Sequence, residues 1–424
     1  MHLLFAVLLL AHWLLASDLH VEPGHSGPVP ATYGSDTNWA LFDSALAAMR
    51  RADPNPPVVI IAGDFLAHHF PPSAALGEQT MARIAHAFDH AFPHAQFVIV
   101  PGNNDDPCGD YRATPGDAYF RYVAHVWAPL VNRNGAAPQF ERTFGQYGWY
   151  AARLPLHDER VIALDTVYYS IVYRACSGGH PDAPQRQLRW LATQLRTLPA
   201  GTRAMLVMHI PPGVDAKSTL ITHRLLVVPF WREQTAAAFV RVLRKYDARI
   251  TLAIAGHEHR NDFRSFGGVP MLVAPAVSPV YDNNPSFAQL DVGNNGDLRD
   301  YTLFSYDEMD GGWERVDTFD RVYRASGFSA RSLASIHARL RDDESLRRKW
   351  AQFYMARSVG SDITLGTWRT YWCAQTQFGP GFVPCAGLQR RVEVLPIAAG
   401  VAAAVLIAVI ALLAVRLGRA RRRT

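Results

Sequence analysis

An α/β fold with polar clusters gathered at strand ends is predicted by three features of this 424-residue chain. Short, β-branched apolar runs recur, and each one stops at a group of polar residues. Helical patterns fill the intervals between them. Hydrophobic residues make up 49% of the chain, enough for a sizeable core. Alternating strands and helices build a sheet whose ligands collect at the carboxyl ends of its strands.

The elements follow in chain order. In the opening run MHLLFAVLLLAHWLLASDLH, residues 1–11 read as a signal-like hydrophobic segment and residues 12–17 as a strand that delivers Asp18 and His20. Cleavage after Ala16 would delete that strand, so none is expected there. VVIIA (58–62) runs into Gly63-Asp64, and FVIV (97–100) into PGNNDD with Asn103 and Asn104. VIAL (161–164) meets Asp165, AMLVM (204–208) meets His209, and TLAIA (251–255) meets GHEH with His257 and His259. Such short apolar runs suit strands buried on both faces. Helical patterns cover 37–51, 75–92, 184–198 and 232–246.

After Pro275 the texture changes. FAQLDV, GNNG and DLRDYTLFSYD read as a hairpin, and 329–357 as a charged helical stretch. A catalytic-type domain is therefore expected over 12–310 and a partly helical extension over 311–393. Residues 394–415 carry no charge and are long enough to cross a bilayer as a helix. The basic tail 416–424 would mark the cytoplasmic side. The expectation is a single-pass membrane protein whose main domain is extracytoplasmic: periplasmic, extracellular or luminal.

The net charge of +5 argues for no nucleic-acid surface. Arg416, Arg419, Arg421, Arg422 and Arg423 crowd the last residues, and the remaining chain is balanced. The four cysteines of an exported chain permit two disulfides in three pairings. Proximity favours Cys373 with Cys385, leaving Cys108 with Cys176, against the competing reading of four free buried thiols.

Asp18, His20, Asp64, Asn103, His209, His257 and His259 form a set of imidazoles and carboxylates with one amide. Singly, each has a bland explanation as a turn residue or a hydrogen-bonded core histidine. Together, each cluster following a strand, they match what two neighbouring divalent ions need, with one carboxylate between them. Imidazole suits Zn, Fe or Mn better than Mg. Tyr168 and Tyr169 read as core, with lining of a cleft as the lesser reading.

In the order DLH, GD, GNND, MHIPPG and GHEH, the chain resembles the calcineurin-like metallophosphoesterases. The resemblance implies an α/β/β/α sandwich of two mixed sheets flanked by helices. It implies that Asp18, His20, Asp64 and His259 hold one metal, and Asp64, Asn103, His209 and His257 the other. A hydroxide bridging the two would attack phosphorus in line with the departing oxygen. HIPPG, GDFLAHH and SPVYDNNPSF are similar to the acid sphingomyelinase-like phosphodiesterases, a group that includes nucleotide phosphodiesterases and endopolyphosphatases.

One departure matters. Asn104 stands where most of the superfamily has a histidine that protonates the leaving group. An amide donates a hydrogen bond but delivers no proton at neutral pH. His68 then becomes the acid, or the substrate is an anhydride such as polyphosphate, since endopolyphosphatases resemble this chain in carrying Asn there. Asn283 and Asn284 are expected near substrate, with a turn role as the alternative. The other functional classes are a sphingomyelinase-type lipid phosphodiesterase and a non-catalytic binding protein on the same fold.

Overall fold

The computed structural model describes residues 11–388 apart from 25–32, 72, 156–158, 179–180, 223–225 and 308–310. Among these the strands run β1 Ala11–Ala16, β2 Val58–Ile61, β3 Gln96–Ile99, β4 Tyr150–Arg153, β5 Arg160–Ala163, β6 Ala204–Val207, β7 Val214–Asp215 and β8 Val228–Pro229. They continue as β9 Ile250–Ala255, β10 Asp262–Phe266, β11 Val269–Val273, β12 Ser286–Val292, β13 Leu298–Asp307 and β14 Gly312–Thr318. One six-stranded mixed sheet has the order β14-β13-β12-β1-β2-β3, and the other β10-β11-β9-β6-β5-β4. β7 and β8 form a separate short ladder.

The apolar runs became the inner strands because nothing in them needs water. VVII, AMLV and ITLAIA are buried throughout. β1 lies at the centre of its sheet, parallel to β2 and antiparallel to β12. Its Trp13, Leu14, Leu15 and Ala16 are buried. Both sheets contribute to one hydrophobic core. The sheets also meet through the Tyr150 hydroxyl, which accepts the Ile99 N–H at 3.0 Å.

The helices Trp39–Ala52, Ala74–Ala91, Ala183–Thr197 and Glu233–Tyr246 occupy the four intervals read as helical. The hairpin after Pro275 is present as β12 and β13, joined through 293–297. The chain beyond 310 first adds β14 to the same sheet and then turns helical. Its helices Ala330–Asp342 and Glu344–Tyr354 bury Leu333, Ile336, Leu340, Trp350 and Phe353. Cys373 is bonded to Cys385, and Cys108 to Cys176.

The expected membrane-spanning helix is corrected. Among the described residues no helix is long and apolar enough to cross a membrane. The longest, Ala74–Ala91, has 18 residues but carries Glu78, Arg83 and Asp89 and buries only one face. The segments 394–415 and 416–424, on which the span and its orientation were expected, lie outside the described residues, as do residues 1–10. The single-pass, extracytoplasmic localisation drawn from them is withdrawn with the span.

Candidate metal centre

The loops leaving β1, β2, β3, β6 and β9 converge at one end of the two sheets. Backbone bonds lock them together: Asp18 N–H to Gly63 O at 3.0 Å, His20 N–H to Asp64 O at 2.9 Å, and Gly256 N–H to His209 O at 2.8 Å. Asp18, His20, Asp64, His257 and His259 all adopt positive φ, between 43° and 76°. This left-handed region is uncommon for non-glycine residues and costs roughly 1–3 kcal/mol at each. Five such residues in one cluster mark a geometry maintained for what the side chains do. Gly102 is required for a different reason, because a Cβ there would collide with the Asp64 carboxylate and backbone.

Among the described residues three groups of donor atoms meet here, each within 4.8 Å: Asp18, His20 and Asp64; Asp64, His209 and His257; and His20, His68 and His259. Asp64 belongs to the first two. Its Oδ2 lies 3.4 Å from His20 Nε2 and 3.2 Å from His209 Nε2. His259 Nε2 is 3.4 Å from Asp18 Oδ1 and 3.0 Å from His20 Nε2. The Asn103 Oδ1 lies 3.1 Å from His209 Nε2. All seven sequence-predicted positions therefore meet in one cluster, and six of the seven side chains are buried.

The ring orientations fit a cation. His20 turns Nδ1 to Leu66 O at 3.1 Å, and His209 turns Nδ1 to Ala62 O at 2.7 Å. A carbonyl accepts only from an N–H, so the proton sits on Nδ1 and Nε2 faces Asp64. Burial lowers His20 to about 4 and His257 to about 3, and holds His259 well below its ordinary range, leaving neutral imidazoles. Burial also pushes Asp18 up to about 7. At Asp64 burial opposes ionisation, but His209 and His20 prevail and hold the carboxyl well below the usual range. His209 is raised to about 10 because Asp64 outweighs its burial. Nε2 of His209 thus faces the Asp64 carboxylate, where a divalent cation would take over the charge that Asp64 attracts. A set of neutral imidazoles and carboxylates around shared Asp64 is the donor chemistry of Zn, Mn or Fe.

Several neighbours beyond His68 were not singled out from the sequence. Asp36 accepts both the backbone N–H and the Nδ1–H of His68, at 2.9 Å each. His68 stacks on His20 with centroids 4.1 Å apart, and its Nε2 meets the Tyr281 hydroxyl at 3.2 Å. Burial would lower His68, but the bond and charge of Asp36 raise it. Asp105 accepts from Phe65 N–H, Leu66 N–H and Gly102 N–H, fastening the β2 and β3 loops to each other. The Tyr111 hydroxyl lies 3.3 Å from His257 Nε2.

Asn104 points at Asp64: its N–H donates to Oδ1 at 2.8 Å and its Nδ2 to Oδ2 at 3.0 Å. Asn283 donates to Ser278 O at 2.9 Å, and Asn284 to Ala356 O at 2.9 Å. Both are buried, their amides occupied in holding the 278–286 loop, while Tyr281 is the residue of that loop beside His68 and His259. Tyr168 and Tyr169 are fully buried in the core. A cavity of about 390 Å³ adjoins His257, lined by Tyr111, Lys217, Phe230, Tyr281 and Tyr371.

The family model for calcineurin-like phosphoesterases matches residues 12–261. The chain belongs to that family. Among its relatives, sphingomyelinase phosphodiesterase D of Dictyostelium discoideum is 28% identical over 268 residues, covering 61% of this chain and 57% of that protein. Acid sphingomyelinase-like phosphodiesterase 3b of Homo sapiens is 27% identical over 329 residues, covering 70% of this chain and 67% of that protein. The chain thus spans little more than half the length of the first of these relatives.

Proposed function

We propose that the protein hydrolyses phosphodiester bonds at a two-metal centre held by Asp18, His20, Asp64, Asn103, His209, His257 and His259. The observation that carries this reading is the position of Asp64, whose carboxylate is shared between the Asp18–His20 and the His209–His257 donor groups. Two divalent cations, of Zn, Mn or Fe, would supply positive charge to the phosphoryl oxygens and acidify a bound water. The chain's own groups do the rest. Asn104 fixes the Asp64 carboxylate through two hydrogen bonds. His68, oriented through Nδ1 by Asp36, which also raises its pKa, donates from Nε2 to the departing oxygen. The cavity beside His257, lined by aromatic and charged side chains, receives the part of the substrate that does not react. The names of the relatives favour a phosphodiester, sphingomyelin among them, as substrate.

A second reading, phosphoanhydride cleavage, rests on Asn104. Its amide is engaged with Asp64 and brings no proton, which an anhydride needs least. Full-length protein loaded with Mn or Zn would be assayed on bis-aryl phosphate, aryl phosphate, sphingomyelin and polyphosphate beside Asp64→Asn. Turnover of either diester by wild type alone is the expected result. Turnover of polyphosphate alone selects the anhydride reading. Equal inertness of wild type and Asp64→Asn on all four substrates overturns both in favour of a binding protein.

A further inference from the structure

We infer that the chain has a second ligand site, for a phosphorylated small molecule, at the edge of its second sheet. A cavity of about 580 Å³ opens there between the helices Phe140–Tyr147 and Ala183–Thr197, within the size range of small-molecule pockets. Arg142, Arg153 and Arg160 line it, and no carboxylate is among the described residues that do. The metal cluster gathers at the carboxyl ends of β6 and β9, whereas this cavity takes Arg160 from the amino end of β5, which runs parallel to β6.

The arrangement of the arginines is the reason to expect a ligand. Arg153 on β4 and Arg160 on β5 are direct partners across the antiparallel ladder. Directly opposed residues share a face of the sheet, and like charges placed so destabilise it. An edge strand often carries a charge that blocks further pairing, which accounts for Arg153 on β4. It does not account for Arg160, which lies on an inner strand. Among the described residues the Arg160 side chain has no hydrogen-bond or ion-pair partner, and Arg153 reaches only Gly135 O, at 3.0 Å. Among the described residues the nearby acids are directed elsewhere. Glu141 faces His125 at 3.3 Å, and Glu159 abuts the turn at Gly296.

Capping of a helix does not explain the cluster either. The last carbonyls of the helix Ala183–Thr197 are taken by Arg249, which donates to Leu195 O and Leu198 O at 3.1 Å each. On the opposite wall, Gln139 and Arg142 come from the amino end of the helix Phe140–Tyr147, whose partial charge also favours an anion. Between these walls lie the apolar floor of Ala151 and Ile162 and the half-buried indole of Trp190. Three guanidinium groups beside an apolar floor and an indole fit a phosphate attached to an apolar or aromatic body. That body can belong to a soluble nucleotide or to a lipid, and the phosphate chemistry is common to both.

The test uses full-length protein treated with EDTA, so that the catalytic centre retains no metal to bind phosphate. Titration with ATP, inorganic pyrophosphate, and phosphatidylcholine vesicles with or without phosphatidic acid is compared between wild type and R153Q/R160Q. The expected result is binding of ATP or of acidic vesicles by wild type, weakened roughly tenfold or more in the variant. ATP binding identifies a soluble source, and binding of acidic vesicles alone a lipid headgroup. Metal-loaded hydrolysis without added anion is unchanged by the two substitutions. A separate readout is thermal: ligand-free Arg160→Gln melts at or above the wild-type temperature, since a like-charge pair is removed. Equal binding by variant and wild type, no binding of any probe, or a lower melting temperature for Arg160→Gln overturns the inference.

Discussion

His68 is held by a single carboxylate at two points: Asp36 accepts its backbone N–H and its Nδ1–H, each at 2.9 Å. The first bond fixes where the residue sits, and the second fixes its tautomer, so Nε2 alone is directed at Tyr281 and the cluster beyond. A histidine with this support is a positioned acid. Loss of Asp36 changes its orientation and its proton affinity together.

Asp36→Asn is therefore expected to slow hydrolysis of alkyl diesters about a hundredfold and that of nitrophenyl esters much less. General-acid assistance is worth roughly 10²–10⁴-fold and matters most for poor leaving groups. The pH profile carries the sign. Asp36 raises the His68 pKa above its ordinary value of 6.5, so the acid is available below that raised value and the rate falls as pH rises through it. In Asp36→Asn the same limb moves to lower pH. A limb that stays in place would exclude His68 as the acid.

Asp64→Asn should lower bound metal below the two ions per chain proposed for the wild type and abolish hydrolysis, read by elemental analysis and turnover. Chelation should also lower the melting temperature of wild type, because an ion bound only by the folded state stabilises it by mass action. The same chelator should leave Asp64→Asn nearly unchanged.

These predictions rest on residues of two kinds. Asp18, His20, Asp64, Asn103, His209, His257 and His259 were singled out from the sequence because each lies a few residues past a buried strand, in motifs whose order resembles the calcineurin-like family. Asp36, Asp105, Tyr111 and Tyr281 were not. Asp36 reaches His68 across 32 residues, and Asp105 ties together loops 40 residues apart, contacts that only the tertiary fold creates. The strands divide similarly. β2 and β6 are uninterrupted apolar runs, and β9 is interrupted only by Thr251. β4 reads YAAR and β10 reads DFRSF, too mixed to stand out before their partners are known. The apolar stretch 394–415 had composition as its sole support, and the membrane helix inferred from it is the part of the reading that was corrected.

Arg260 joins the helical extension to the metal loops. Its guanidinium is 2% exposed, pairs with Asp362 at 2.7 Å, and donates to Tyr281 O at 3.0 Å and to His259 O at 2.9 Å. Asp362→Ala would leave that charge buried without its counter-ion, at a cost of about 3 kcal/mol. Urea denaturation should show the loss. KM and kcat should both worsen, since Arg260 tethers the backbone carrying His259 and Tyr281. An unchanged midpoint would mean that the acceptors His259 O, Tyr281 O and Asn283 Oδ1 already suffice.

Glu159 supplies a pH dependence away from the metal cluster. One of its carboxylate oxygens is buried without a hydrogen-bond partner, and the side chain lies against the turn at Gly296. Burial raises its pKa from 4.5 to about 7, and the opposing charge of Arg203 does not cancel the effect. The folded state thus binds the proton more tightly than the unfolded chain does. Its contribution to stability is complete below about pH 4.5 and is lost as pH rises through 7. After allowance for solvent screening at the rim, the change amounts to about 1–2 kcal/mol. Glu159→Gln keeps the shape and removes the ionisation, so it should equal wild type near pH 4.5 and exceed it by that amount at pH 8. Chemical denaturation at the two pH values measures the difference. A variant less stable than wild type at pH 8 would show that the ionised carboxylate is held by Arg203 after all.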